Sequence, residues 1–168
     1  MAMTLNRLAD AFYDELQRIL SSEQQQVESL PRTISKTTCE KLKQTLTDHL
    51  EETKLHVQRV EKAFEDTARI PAAKASPAMA GLVEEAEGVM QLETDVHVMN
   101  AMLIASIQKV AHYEIASYGT LCTWADVLGY EHAKKLLAMN IAEELAIDEK
   151  LTRLSVTTNR AASHDALA

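Results

Sequence analysis

The stretch His49-Leu50-Glu51-Glu52-Thr53-Lys54-Leu55-His56 decides the fold, because it puts acids and imidazoles where a helix of this pattern should bury apolar side chains. A similar pattern, Ile141-Ala142-Glu143-Glu144-Leu145-Ala146-Ile147-Asp148, recurs near the other end of the chain. Both stretches sit inside long helical periodicities. Each therefore belongs to a helix that carries polar groups into an interior.

Working outward from 49–56, the surrounding periodicity predicts a helix that a capping box, Thr37-x-x-Glu40, opens. It runs to about Asp66, with Leu42, Leu46, Leu50, Val57, Val60 and Phe64 on its apolar side. Upstream, Thr4 to about Leu30 forms a first helix whose seam is Leu16, Leu20, Glu23, Val27 and Leu30, and Pro31 is expected to kink or end it. The short connection makes these two helices antiparallel neighbours. Residues 67–77 contain two prolines and read as a linker, followed by a short helix over Ala78–Leu92 that Gly81 and Gly88 weaken. The segment is long enough to cross a bundle end to end, as parallel second and third helices would require.

A third long helix is expected over Asp95–Leu128, its stripe interrupted by Glu114 and its end marked by Gly129 as a left-handed cap. The fourth, about Glu131–Ser155, has Leu137, Ile141, Glu144, Asp148 and Leu151 along one seam. Residues 1–156 thus make one all-α domain, a four-helix bundle of two helix hairpins joined by a crossover that carries a short extra helix. The polar tail 157–168 is expected to fray and to be flexible.

Composition agrees. The 168 residues, 46% hydrophobic with only 4 Gly and 3 Pro, suffice for one domain that buries roughly 70% of its unfolded surface. The net charge of -8, with no basic run at either end, argues against nucleic acid as a partner. No apolar run approaches the ~20 residues of a membrane span, and the N-terminus has no signal-like core, so a cytoplasmic protein is expected. Cys39 and Cys122 read as small apolar residues rather than a disulfide. No Met or His position marks a haem pocket.

Residues four apart on a helix lie on one face. Glu52 with His56, and Glu144 with Asp148, therefore each present a pair of donors, and Glu23 and Glu114 each add one. The step from single to paired element is 29 residues from Glu23 to Glu52 and 30 from Glu114 to Glu144, the mark of a duplicated hairpin. Buried carboxylates without Lys or Arg in the same stripes repel one another, and two divalent cations would offset them. The candidate metal ligands are Glu23, Glu52, His56, Glu114, Glu144 and Asp148, with Glu51 and Glu143 as substitutes should the helices be rotated. His49 is either a support to these ligands or interior packing, and Tyr118 either lines the site or is core.

The segments His-Leu-Glu-Glu-Thr (49–53), Gly-Leu-Val-Glu-Glu-Ala (81–86), His-Tyr-Glu-Ile-Ala-Ser-Tyr-Gly-Thr (112–120) and Asp-Glu-Lys-Leu-Thr (148–152) resemble the YciF-type bacterial stress-protein family of the ferritin-like superfamily. The likeness spans about residues 5–155. It implies a ferritin-like bundle with a dinuclear iron or manganese centre in a stress-induced protein. Ferritins and rubrerythrins characteristically carry Glu-x-x-His, whereas this chain has Glu52-x-x-x-His56 and an Asp148 in place of a second histidine. The richer oxygen set suits a hard ion, two Fe or, alternatively, Mn. Reaction with O2 or peroxide is the expected activity, and a homodimer the expected assembly. Iron storage or protection in a cage, and a metal-free helical interaction module, are the alternatives.

Overall fold

The computed structural model describes residues 6–164, and the regular elements within them are all helices. Helix α1 spans Leu8–Lys36, α2 Glu40–Ala63, α3 Pro77–Met90, α4 Val96–Leu128 and α5 Glu131–His164, with a 3-10 turn over Phe64–Thr67 after α2. Around the bundle the order is α1, α2, α5, α4, each packed on the next, and α3 lies outside in the groove between α1 and α4. The crossover starts beside the N-terminal end of α1, where Arg69 pairs with Asp10 and the Lys74 amide donates to the Gln17 carbonyl. It finishes beside the other end, where Arg32 of α1 pairs with Glu87 of α3. Helices α2 and α4 consequently run parallel on the bundle diagonal.

Several expected boundaries move. Helix α1 continues through Pro31 to Lys36, because Pro31 faces solvent while Leu30 and Thr33 on either side stay buried. Thr37 does not start a capping box. Its hydroxyl donates back to the Thr33 carbonyl at the end of α1, and Cys39 is the residue that precedes α2, without a side-chain cap. Asp95 does cap α4, accepting from the amides of His97 and Val98. Gly129 adopts φ 72° after α4, the left-handed geometry expected of it.

Helix α5 runs past Ser155 to His164, so the part of the expected tail that is described is helical; Thr158 is buried and its hydroxyl bonds the Leu154 carbonyl. Residues 165–168 of that tail, like Thr4 at the expected start of the first helix, lie outside the described residues. No helix among the described residues is long and apolar enough to cross a membrane.

Inside the four-helix bundle the apolar core is in two pieces, and a smaller third cluster of Met90, Met99 and Leu103 packs α3 on α4. One of the two gathers Phe12, Leu16, Ile19, Val60, Phe64, Leu121 and Leu137, and the other Leu30, Leu42, Leu46, Ile104, Ile107, Ile147 and Leu151. Between them, each of the four bundle helices turns polar residues inward over about one to two turns.

Candidate metal centre

Every long helix keeps one inward stripe at alternating steps of three and four, and the polar layer is where that stripe changes chemistry without changing phase. On α1 the buried sequence is Leu16, Ile19, Glu23, Gln26, Leu30; on α2 it is Leu46, His49, Thr53, His56, Val60. Helix α4 contributes Val110, Glu114, Ser117 and Leu121, and α5 contributes Leu137, Asn140, Glu144, Ile147 and Leu151. Glu23, His56, Glu114 and Glu144 are all 0% exposed.

The layer is held by two sets of hydrogen bonds. The Tyr118 hydroxyl donates to Glu23 Oε1, and Asn140 donates to the Tyr118 oxygen at 2.9 Å. Gln26 donates to Glu114 Oε2 and its carbonyl meets His49 Nε2 at 2.9 Å and the Thr53 hydroxyl at 3.3 Å. His56 Nδ1 lies 3.4 Å from both Glu23 Oε1 and Glu144 Oε1, while its Nε2 is 2.7 Å from Glu143 Oε2. Glu143 in turn is gripped at both oxygens by Arg59.

Six buried side-chain atoms among the described residues lack any hydrogen-bond partner: Glu23 Oε2, Glu114 Oε1, both oxygens of Glu144, and Nδ1 of His49 and His56. All belong to this layer. Natural interiors rarely leave such groups unpaired, since each costs about 1–3 kcal/mol. Acids and imidazoles with spare lone pairs aimed inward are the donors a hard divalent ion takes, so these residues fit such an ion chemically. Among the described residues no three His, Cys, Asp or Glu side chains are drawn together tightly enough to form a ready-made coordination cluster.

Ionisation follows from the crowding. Burial, together with the charges of Glu23 and Glu144, drives the Glu114 carboxyl well above the ordinary range. Burial likewise raises Glu144 to about 7. For His56 burial opposes the charge, but the adjoining carboxylates of Glu23, Glu144 and Glu143 prevail and lift the imidazole to about 9. Burial would raise Glu143 too, yet Arg59 and His56 hold it below the usual value.

Of the six expected ligands, the structure brings Glu23, His56, Glu114 and Glu144 together. Glu52 stands at the edge, its side chain 33% exposed and 3.7 Å from His49 Nδ1. That histidine keeps Glu52 below its ordinary pKa. Asp148 is turned toward α4, where Gln108 donates to it at 3.0 Å and His112 approaches to 3.3 Å.

The two displacements share a cause. His49 follows Glu23 by 26 residues, and Asn140 follows Glu114 by 26, so the inward positions that match are His49 with Asn140 and Thr53 with Glu144. Glu52 is one residue, about 100° of helix, out of that phase. On α5 the buried stripe runs through Asn140 and Ile147 rather than through Ile141 and Asp148. Both registers alternate threes and fours, so spacing alone did not separate them. Gln26, Thr53 and Asn140 were missed outright, although Gln26 and Thr53 continue the stripes of Glu23 and His49 at steps of three and four.

A family model described as "Domain of unknown function (DUF892)" matches residues 7–163. Protein YciF of Escherichia coli K12 is 41% identical over 155 residues, 92% of this chain and 93% of that protein. The crystal structure of the E. coli stress protein YciF superposes with a TM-score of 0.89 at 39% identity, covering 93% of this chain and 99% of that one. YcfI of Rhodopseudomonas palustris gives 0.86 at 36% identity, over 90% and 97% of the two chains. A two-domain protein from Anabaena variabilis with DJ-1/ThiJ/PfpI-like and ferritin-like domains matches at 0.61 and 15% identity, over 93% of this chain and 39% of that one, a likeness of fold alone.

Proposed function

The chain belongs to the DUF892 family, and from that footing we propose that its ferritin-like bundle is a stress-related protein whose polar layer holds two iron ions, or manganese, and reacts with O2 or peroxide. The observation that carries the proposal is how the acids are tethered. Tyr118 holds one oxygen of Glu23 and Gln26 one oxygen of Glu114, and in each the second oxygen is left over. Neither oxygen of Glu144 has a hydrogen bond, and His56 Nδ1 stands 3.4 Å from Oε1. Side chains fixed at one atom and unsatisfied at the other are pre-aimed donors.

Glu23, Glu114, Glu144 and the Nδ1 atom of His56 would hold the ions. To do so His56 must be neutral with its proton on Nε2, and Glu143, fixed by Arg59, accepts that N–H and selects the tautomer. His49 and Glu52 close one edge of the layer. Asp148 keeps its place in the proposal as a flanking acid, set on α5 one turn from Glu144. The apolar clusters on either side exclude water, which strengthens every charge interaction between them. Ions of changing valence bound there would supply the electrons for reducing O2 or peroxide.

Protein loaded anaerobically with Fe(II) and then mixed with hydrogen peroxide tests this. Consumption of about one peroxide per two ions, as the electron balance of two one-electron donors requires, is expected. Glu23→Gln and Glu144→Gln should reduce the rate at least about tenfold, the usual cost of altering a metal-site group. Consumption no faster than by the same iron free in solution, or unchanged in both variants, would overturn the proposal.

A further inference from the structure

Arg59 stands on α2 about one turn beyond His56, with its side chain 15% exposed, and its single guanidinium grips two residues of α5. Nη1 donates to Glu143 Oε2 at 2.6 Å and to Asn140 Oδ1 at 3.1 Å, while Nη2 donates to Glu143 Oε1 at 3.1 Å. From those two residues the hydrogen bonds run into the layer along separate arms. Glu143 Oε2 meets His56 Nε2 at 2.7 Å. Asn140 donates through Nδ2 to the Tyr118 oxygen at 2.9 Å, and Tyr118 donates to Glu23 Oε1.

Two groups on the second arm could point either way. A side-chain amide carries donors at one end and an acceptor at the other, and a phenol both donates and accepts. Turned round, Asn140 would offer Oδ1 to Tyr118, the phenol proton would go to that oxygen, and Glu23 Oε1 would lose its donor. Asn140 and Tyr118 are both 0% exposed, so bulk water does not make up the difference.

Arg59 removes the choice. A guanidinium has N–H donors and no acceptor, so Asn140 must turn Oδ1 toward Arg59 and Nδ2 toward Tyr118. The His56 carbonyl, which can only accept, lies 3.4 Å from that same Nδ2 and agrees with this orientation. Tyr118 receives the amide N–H and is left with Glu23 for its own proton. On the first arm, Glu143 held by Arg59 accepts at His56 Nε2, which leaves His56 Nδ1 facing Glu23 and Glu144 at 3.4 Å. Both arms therefore end at neighbouring donors.

We infer that Arg59 is a positioning residue for the polar layer: through Asn140 and Tyr118 it sets which oxygen of Glu23 is tethered and which is spare, and through Glu143 which nitrogen of His56 faces the acids. The inference rests on the metal reading above and extends it, since one arginine that touches neither Glu23 nor any ion fixes both orientations. Lysine cannot take its place, because a single ammonium lacks the rigid fork that spans two acceptors.

Raman difference spectra between metal-free protein and its Tyr118→Phe variant isolate the Tyr118 Fermi doublet, whose intensity ratio reads how strongly the phenol donates. The ratio should be that of a strong donor, and in the Arg59→Met background it should shift toward weaker donation with unchanged far-ultraviolet dichroism. In anaerobic calorimetric titration with Co(II), Arg59→Met and Arg59→Lys should each raise the dissociation constant about tenfold or more, the usual cost of losing a group that orients metal donors. Tyr118→Phe should also weaken binding about tenfold. Added to Arg59→Met it should cost less than about threefold more, because the two residues act along one arm. A doublet unmoved by Arg59→Met, wild-type affinity in Arg59→Met or Arg59→Lys, or a double variant as weak as the product of the two single losses would overturn the inference and leave the metal reading standing. A wild type that binds no Co(II) would overturn both.

Discussion

At the scale of single residues the layer is defined by a shortage of positive charge. Among the described residues His56 is the cation within ion-pair distance of Glu23 and Glu144, while Arg59 pairs with the outer Glu143 and donates to Asn140. The consequence for the metal-free protein has a definite sign. His56 titrates near 9 in the fold against 6.5 unfolded, so its contribution is fully present below pH 6.5 and is lost as pH rises through 9. Glu144, raised to about 7 from 4.5, favours the fold while protonated and loses that contribution as pH rises through 7. Both slopes run the same way.

Denaturant unfolding of metal-free protein should therefore show stability falling by a few kcal/mol between pH 6 and pH 10. A flat or rising profile would show that the buried charges are compensated otherwise. Glu114→Leu supplies a second check on the same layer. Removing a carboxyl that burial disfavours should leave the metal-free protein between unchanged and about 2 kcal/mol more stable, even with Gln26 deprived of its acceptor. It should lower Fe(II) affinity by at least about tenfold in anaerobic calorimetric titration.

These acids were legible in the sequence because a carboxylate inside an apolar stripe stands out. Glu52 and Asp148 were misplaced by one helical phase, an ambiguity that only packing resolves. Tyr118 was weighed without a decision, since its bond to Glu23 joins residues 95 apart and leaves no local trace.

At the scale of elements, the expected helices all form and their ends shift for identifiable reasons. Pro31 was expected to end the first helix, but the fold tolerates its missing donor on the solvent side in order to keep Leu30 and Thr33 buried. Pro31→Ala restores that donor and should raise stability by about 1–2 kcal/mol, part of the helix preference being offset by a freer unfolded chain. Thermal unfolding of the metal-free variant measures it. Gly129 behaves as its sequence position suggests, with φ 72° after α4. Gly129→Ala should cost about 1 kcal/mol, as a side chain at a left-handed cap does. The extension of α5 past Ser155 was hidden because Thr157 and Thr158 look like tail residues. Their hydroxyls bond the Leu154 carbonyl within the helix instead of competing with it.

At the scale of the molecule, two apolar clusters are joined by a slab that is costly to bury without a ligand. The parallel α2 and α4 that a bundle of two hairpins needs could be anticipated from the length of the crossover alone. What the chain order did not show was the division of the core, because the residues of each cluster come from distant parts of all four helices. An ion that binds only the folded state at a hundred times its dissociation constant adds about 2.7 kcal/mol. Chelation should then lower the melting temperature by roughly 5–10 °C in a domain of this size.

If the polar layer is a metal site, elemental analysis reads its ions without an assay of activity. Protein purified without metal supplement, and again after reconstitution with Fe(II) or Mn(II) and removal of excess, should contain about two ions per chain, the complement of a ferritin-like carboxylate bundle. Glu144→Gln should contain fewer. Less than about a tenth of that content in the reconstituted protein, or full content in a variant lacking Glu23, Glu114 and Glu144 together, would mean that the layer is not a metal site.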